Sequence, residues 1–167
     1  LDADTLTITG VISAPSHGAA TCAASGCSYI GAPNFSGADS FTYGVADGRG
    51  GSASATVSVT VTPVDDAPVA DDVSAPATAG PITLTATDVD SATLTFEVVA
   101  VPGRGSIGAI GAPSCQTAAG VTTCTASVTY TRAPGDVEED SFTYRASDGT
   151  SDSSVATVTV ASTNAAP

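Results

Sequence analysis

Asp39-Ser40-Phe41-Thr42-Tyr43-Gly44-Val45-Ala46-Asp47-Gly48 returns 101 residues later as Asp140-Ser141-Phe142-Thr143-Tyr144-Arg145-Ala146-Ser147-Asp148-Gly149. The same offset links Tyr29 to Tyr130, Pro33 to Pro134, and Ala55-Thr56-Val57-Ser58-Val59 to Ala156-Thr157-Val158-Thr159-Val160. A fixed period marks a repeat array, and a unit of about 100 residues is a whole domain, not a solenoid turn. Within each copy Phe, Tyr and Ala alternate with Ser, Thr and Gly or Arg, the two-residue period of a half-buried strand. The closing Asp-Gly is hairpin chemistry. The pattern predicts a central strand, a tight turn and a last strand rich in Val and Thr. Phe41, Tyr43, Phe142 and Tyr144 are the expected buried aromatics.

Outward from this stretch the composition agrees. Ten Pro and 17 Gly suit turns, and the alternating Thr and Val suit pleated strands. No long segment carries a 3.6-residue period, and no apolar run reaches membrane-spanning length, so membrane insertion is not expected. Seventeen acids against four Arg and no Lys leave a net charge of −13. That excludes nucleic acid as a partner, because phosphate contacts need cationic clusters. It favours solubility and polyvalent cations. Without Lys, no Lys–Asn isopeptide crosslink can form. The opening residues carry no charged region followed by an apolar one, so no signal peptide is read there. Beginning at Leu1-Asp2 with no Met, the chain reads as a window on something longer.

Four Cys fall two per copy. Cys22 and Cys27 flank Ala-Ala-Ser-Gly, and Cys115 and Cys124 flank a longer Gly-containing stretch. Both pairs precede the Tyr29 and Tyr130 strands. Matched even numbers read as local disulfides, Cys22–Cys27 and Cys115–Cys124, in an oxidising compartment. A four-thiolate metal site competes, but the spacings do not fit paired C-x₂-C knuckles and His17 is the only His.

In chain order, Thr5-Leu6-Thr7-Ile8-Thr9 is a strand, Pro15-Ser16-His17-Gly18 a turn, and strands follow from Tyr29, Ser40 and Ser54. Pro63-Val64-Asp65-Asp66-Ala67-Pro68 punctuates the chain and sets the domains at 1–66 and 67–167. The second copy adds Val69 to Val73, a strand at Ile82-Thr83-Leu84-Thr85-Ala86, and Leu94-Thr95-Phe96-Glu97-Val98. Pro102-Gly103-Arg104-Gly105 matches the earlier turn. Seven strands, A to G, make an Ig-like β-sandwich. The first copy holds only C to G. Strand B is internal to its sheet, so its absence leaves the backbone along 27–30 without partners. Residues upstream of Leu1 are expected to supply A and B.

Asp-x-Asp, Leu-Thr, Pro-x-x-Gly, Tyr-x-x-x-Pro, Asp-Ser-Phe-Thr-Tyr, Asp-Gly and Asp-Asp-Ala-Pro, in this order twice, resemble the tandem cadherin-like repeats of large bacterial surface and secreted proteins. The resemblance covers nearly the whole chain. It implies extracellular β-sandwiches strung end to end, often with Ca²⁺ at junctions. Such repeats serve as stalks of adhesins or as carbohydrate-associated modules.

Geometry carries the calcium reading further. Loops B–C, D–E and F–G of a seven-stranded sandwich return to the end where the chain enters. Asp88 and Asp90 on B–C, Asp148 on F–G, and Asp65 and Asp66 in the linker should meet there. Ca²⁺ takes six to eight oxygens, and crowded carboxylates without a cation would have raised pKa values. The matching set in the first copy is Asp2, Asp4 and Asp47. The same acids are also ordinary solvated turn chemistry.

No catalytic constellation is marked. His17 reads as an exposed turn residue with no nucleophile beside it. Glu138-Glu139-Asp140 reads as a solvated loop, and no cleft is evident for paired carboxylates. Asn34-Phe35-Ser36 is a glycosylation sequon. The expected function is a non-catalytic extracellular stalk, filament or adhesion segment, with neighbouring repeats of the same polypeptide as partners. The alternative is a module binding polysaccharide or a partner repeat, for which eight aromatics and no Trp offer little platform.

Overall fold

In the computed structural model residues 5–77 and 80–163 are described, and the chain divides into two compact units, Leu1–Val64 and Asp65–Pro167. The division places Asp65 and Asp66 with the second unit. Every regular element among the described residues is a β-strand. Among the described residues no helix is long and apolar enough to cross a membrane.

Among its described residues the second unit is an Ig-like sandwich of nine strand segments: β6 (Val69–Ala70), β7 (Val73–Ala75), β8 (Gly80–Asp88), β9 (Thr95–Ala100), β10 (Gly105–Ile107), β11 (Ser114–Ala118), β12 (Val121–Arg132), β13 (Asp140–Ser147) and β14 (Ala156–Val160). One sheet runs β10-β12-β8-β6, with β11 also on β12, and the other runs β7-β14-β13-β9. The seven expected strands become nine because two are split. The first crosses between sheets: β6 pairs antiparallel with β8 and β7 parallel with β14. The fourth is divided into β10 and β11, both on β12.

Alternation builds the core. Along β12 every second residue, from Thr122 through Cys124, Ala126 and Val128 to Tyr130, points inward. Ile82 and Leu84 of β8 meet Phe142 and Tyr144 of β13 and Val158 and Val160 of β14 in one cluster. A second cluster gathers Ala86, Leu94, Cys124 and Ala146. The Tyr144 hydroxyl donates to the Asp71 carbonyl oxygen at 2.5 Å and accepts from the Thr85 N–H at 3.3 Å. Its buried polar end is thereby satisfied.

The first unit comprises β1 (Thr7–Ser13), β2 (Gly18–Ala23), β3 (Gly26–Gly31), β4 (Gly37–Ala46) and β5 (Ser52–Val61). A three-stranded sheet runs β1-β4-β5, and β2 and β3 form a hairpin. These match β9 to β14. Among its described residues no strand corresponds to β6, β7 or β8, as the reading from C to G anticipates. The consequence is a thin core: Phe41 is buried, but Tyr43 is only half-buried. Tyr43 therefore does not join Phe41, Phe142 and Tyr144, and Tyr130, at 1% exposure, takes its place among the most buried aromatics.

Both disulfides form as expected. Cys22 pairs with Cys27 across β2–β3, and Cys115 with Cys124 across β11–β12. The Asp-Gly turns are wider than the tight hairpin read from the sequence. β4 and β5 are joined by residues 47–51, and β13 and β14 by 148–155. The carboxylates open these loops: Asp47 Oδ1 accepts from the N–H groups of Arg49 and Gly51, and Asp148 Oδ1 from Thr150 and Ser151. Each wraps three to four residues around itself instead of permitting a two-residue turn.

Candidate functional site

Five acidic residues of the second unit, Asp65, Asp66, Asp88, Asp90 and Asp148, are linked at one end through hydrogen bonds, most of them from backbone N–H groups. Asp88 closes β8 and is buried. Its Oδ1 accepts from the N–H groups of Asp90 (2.9 Å) and Ser91 (2.7 Å). Asp90 Oδ2 accepts from the Asp66 N–H at 2.9 Å. The Ser151 hydroxyl donates to Asp65 Oδ2 at 2.7 Å, while its N–H serves Asp148. Residues 65 and 66 thus tie the loop after β8 to the loop after β13. Four of the five acids act as acceptors that shape this end, and Asp66 contributes its N–H.

Two oxygens stand out. Asp88 Oδ2 and Asp148 Oδ2 are buried and have no hydrogen-bond partner. Leaving a buried carboxylate oxygen unpaired is costly, so each is a candidate ligand atom for a hard cation. Their chemistry fits Ca²⁺, but among the described residues no group of three or more His, Cys, Asp or Glu side chains is disposed to hold a metal ion. Main-chain carbonyls and water would have to complete the six to eight oxygens Ca²⁺ takes. Crowding does not raise Asp148. The N–H groups of Ser151 and then Thr150 hold its carboxyl below the ordinary value. In the first unit Asp47 is committed to its own loop. Asp2 and Asp4 lie outside the described residues.

A polar constellation that the sequence patterns do not mark as a site occurs twice. Asp140, expected in a solvated loop with Glu138 and Glu139, is buried at the first position of β13. Its Oδ1 accepts from Gly103 N–H (3.0 Å) and Ser141 N–H (2.9 Å), and its Oδ2 from Arg104 N–H (2.9 Å) and the Tyr130 hydroxyl (2.8 Å). Asp39 repeats the arrangement with Ser16, Ser40 and His17 N–H and the Tyr29 hydroxyl, at 2.8–3.0 Å. The glycine that ends each Pro-x-x-Gly makes room for the ring. A Cβ on Gly105 would stand 2.6 Å from the Tyr130 ring, and one on Gly18 2.8 Å from the Tyr29 hydroxyl. Burial works to raise the Asp39 pKa, but the three N–H donors and the tyrosine outweigh it and bring it to about 2. Burial likewise opposes Asp140, and the Tyr130 hydroxyl with the three N–H donors wins there too, lowering it. Both tyrosines are raised, by burial first and then by their aspartates. The equal spacing of Tyr29 to Asp39 and Tyr130 to Asp140, behind a Pro-x-x-Gly in each copy, was the available signal.

His17 is exposed, as read. Its N–H joins the clamp, and its ring stacks on Phe35 with centroids 4.3 Å apart. Asn34 of the sequon takes a left-handed conformation, φ 58°.

Comparison with known proteins agrees with the architecture. A family model described as "Bacterial Ig domain" matches residues 1–60 and again 65–161. No curated protein sequence matches the chain. Among solved structures, an endo-fucoidan hydrolase of glycoside hydrolase family 107 is similar at 25% identity and a TM-score of 0.39 over 95% of this chain. A single-substitution variant of that hydrolase is similar at 23% identity and a TM-score of 0.37 over 95% of this chain. The chain spans 23% and 24% of the length of these two structures.

Proposed function

The chain belongs to the bacterial Ig domain family, and from that premise we propose that its two units are non-catalytic structural modules of a bacterial extracellular or cell-surface protein, a stalk, filament or adhesion segment. The fate of the recurring motif carries this reading. Each oxygen of Asp39 and Asp140 is occupied by a turn N–H, a strand N–H or a tyrosine hydroxyl. The most strongly repeated polar side chains therefore hold the fold together and leave no group free for chemistry. Two disulfides support an oxidising compartment. Neighbouring repeats of the same polypeptide are the partners this reading expects. Antibodies raised against the chain should label intact source cells or their culture medium. Labelling that appears only after lysis would overturn the reading.

Ca²⁺ at the acidic end of the second unit belongs to the same proposal. The unpartnered oxygens of Asp88 and Asp148 support it, with Asp65, Asp66 and Asp90 supplying surrounding charge. With so few carboxylates free, the expected dissociation constant is about 10⁻⁴–10⁻³ M, the range of extracellular modules. Calorimetric titration should give saturable heat that Asp88→Asn abolishes. Ten times that concentration should stabilise the second unit by about 1.4 kcal/mol. A melting curve unmoved by Ca²⁺ or by EDTA would remove the ion from the account.

The alternative, binding of polysaccharide or of a partner, has the stack of exposed His17 on half-buried Phe35 in its favour, since planar rings suit sugar faces. A glycan array separates the two: binding lost in His17→Ala favours the alternative, and a silent array favours the structural reading.

A further inference from the structure

A shallow corner recurs in both units, beside the Pro-x-x-Gly turn and the first residues of the central strand. In the first unit Ser16, His17, Ala38, Asp39 and Ser40 help to line it. In the second, Gly103, Arg104, Asp136, Glu139, Asp140 and Ser141 line it. The second unit has β6, β7 and β8 in place, so those strands do not cover the corner. The units differ in the two side chains beside the clamp. Arg104 binds Asp136 at 3.2 Å, and Arg132 approaches the same carboxylate at 3.6 Å. His17 and Phe35 hold the corresponding places, 87 residues before Arg104 and 101 before Asp136. Their rings are parallel within 2°, with centroids 4.3 Å apart.

The backbone beneath this stack is fixed. The His17 N–H donates to Asp39 Oδ2 at 2.9 Å. The His17 carbonyl oxygen accepts from the Ala32 N–H at 2.8 Å and from the Tyr29 hydroxyl at 3.2 Å. The Ala32 carbonyl oxygen accepts from the Phe35 N–H at 3.2 Å, which ties the loop bearing Phe35 to the turn bearing His17. An exposed ring held in this way loses little freedom when a ligand settles on it. Because His17 is exposed, the imidazole face turned away from Phe35 meets solvent.

The surroundings select the ligand. Exposed Ser16 and Ser40 offer hydroxyls beside the ring. Besides His17, Asp39 is the only titratable side chain lining the corner among the described residues, and its oxygens already accept four hydrogen bonds. A carboxylate on a chain of net charge −13 repels anions. A neutral pyranose has a C–H face for the ring and hydroxyls for the serines.

Resting on the saccharide-binding alternative, we propose that this corner of the first unit binds one neutral pyranose residue of a polysaccharide, stacked on the His17 imidazole, and that the Arg104–Asp136 ion pair leaves the second unit without such a site.

The test runs the whole chain in native gels containing neutral polysaccharides (a glucan, a galactan, a mannan) or anionic ones (a sulfated galactan, a polyuronate). An oligosaccharide of the retarding polymer is then titrated by calorimetry. A neutral polymer should retard the chain. His17→Ala should weaken binding by about tenfold, while His17→Tyr, which restores a ring, should stay within about threefold of the parent. Arg104→Ala, at the matching place of the second unit, should leave affinity unchanged. The bonds that fix His17 are main-chain bonds, so His17→Ala retains them. Undiminished binding in His17→Ala, or an equal loss in Arg104→Ala, overturns the site while sparing the saccharide reading. Retardation by anionic polymers alone overturns the ligand class. No retardation by any polymer removes the saccharide reading itself, and this inference with it.

Discussion

Leu6 and Leu94 follow the same motif and precede the same strand, yet one stands in solvent and the other in the core. Phe41 and Phe142, on the central strand, are buried in both units. What separates the two cases is the partner element. Phe41 is buried in a unit whose described residues include no counterpart of β8, whereas Leu94 packs with Ala86 of β8. The clamp behaves like Phe41: Asp39 and Asp140 have identical partner sets because every donor comes from the turn and strands both units possess. The comparison divides each copy into a locally complete half, built from the clamp and the central strands, and a half that exists only where a strand from earlier in the chain covers it.

The largest expected effect tests the covered half. Phe142→Ala should destabilise the second unit by about 3–5 kcal/mol in urea unfolding. A loss below about 1 kcal/mol would mean that this core is not the one that matters. The sharpest contrast is the leucine pair. Leu94→Ala should cost about 2–5 kcal/mol, and Leu6→Ala should stay within about 0.5 kcal/mol, as exposed substitutions do. Equal costs would erase the distinction drawn between the units.

The disulfides come next. Closing a short loop contributes about 2–3 kcal/mol. Cys124 is fully buried and Cys22 and Cys27 are not. Cys115→Ser with Cys124→Ser should therefore lower the midpoint of its unit more than the Cys22 and Cys27 pair lowers its own. The reverse order would show that loop closure alone, without core packing, sets the effect.

The smallest effect should be common to both units. Folded Asp39 titrates at about 2 against an ordinary 3.8, and Asp140 is shifted the same way. A depressed pKa adds stability that is present above the unfolded value and lost as pH falls through the folded one. Melting temperatures of both units should decline as pH is lowered from 3.8 towards about 2, and Asp140→Asn should remove part of that slope from the second unit only. A constant melting temperature across this window would leave the clamps without energetic weight.

Much of this was legible in the residues. The 101-residue repeat, the two-residue alternation of Asp-Ser-Phe-Thr-Tyr and the placement of the cysteines led to tandem Ig-like sandwiches with two local disulfides, because strand periodicity and short-range pairing are properties of nearby residues. Tyr43 is half-buried despite its place in the alternation, because alternation says which way a side chain points, not whether anything lies beyond it. Asp140 reads as solvated because its neighbours Glu138 and Glu139 are, while two of its four donors, the Arg104 and Gly103 N–H groups, lie 36 and 37 residues away in sequence.

By itself the sequence determined the strands, the repeat, the disulfides and the acidity, all of which follow from composition and local pattern. Only the tertiary structure decided that Tyr43 is half-buried, that an aspartate of the recurring motif is a buried clamp, and that the Asp-Gly loops are wrapped around their carboxylates. The clamp depends on where turn N–H groups distant in sequence arrive in space, while the loops close on N–H groups two to four residues away, so a buried carboxylate is defined by the groups that reach it.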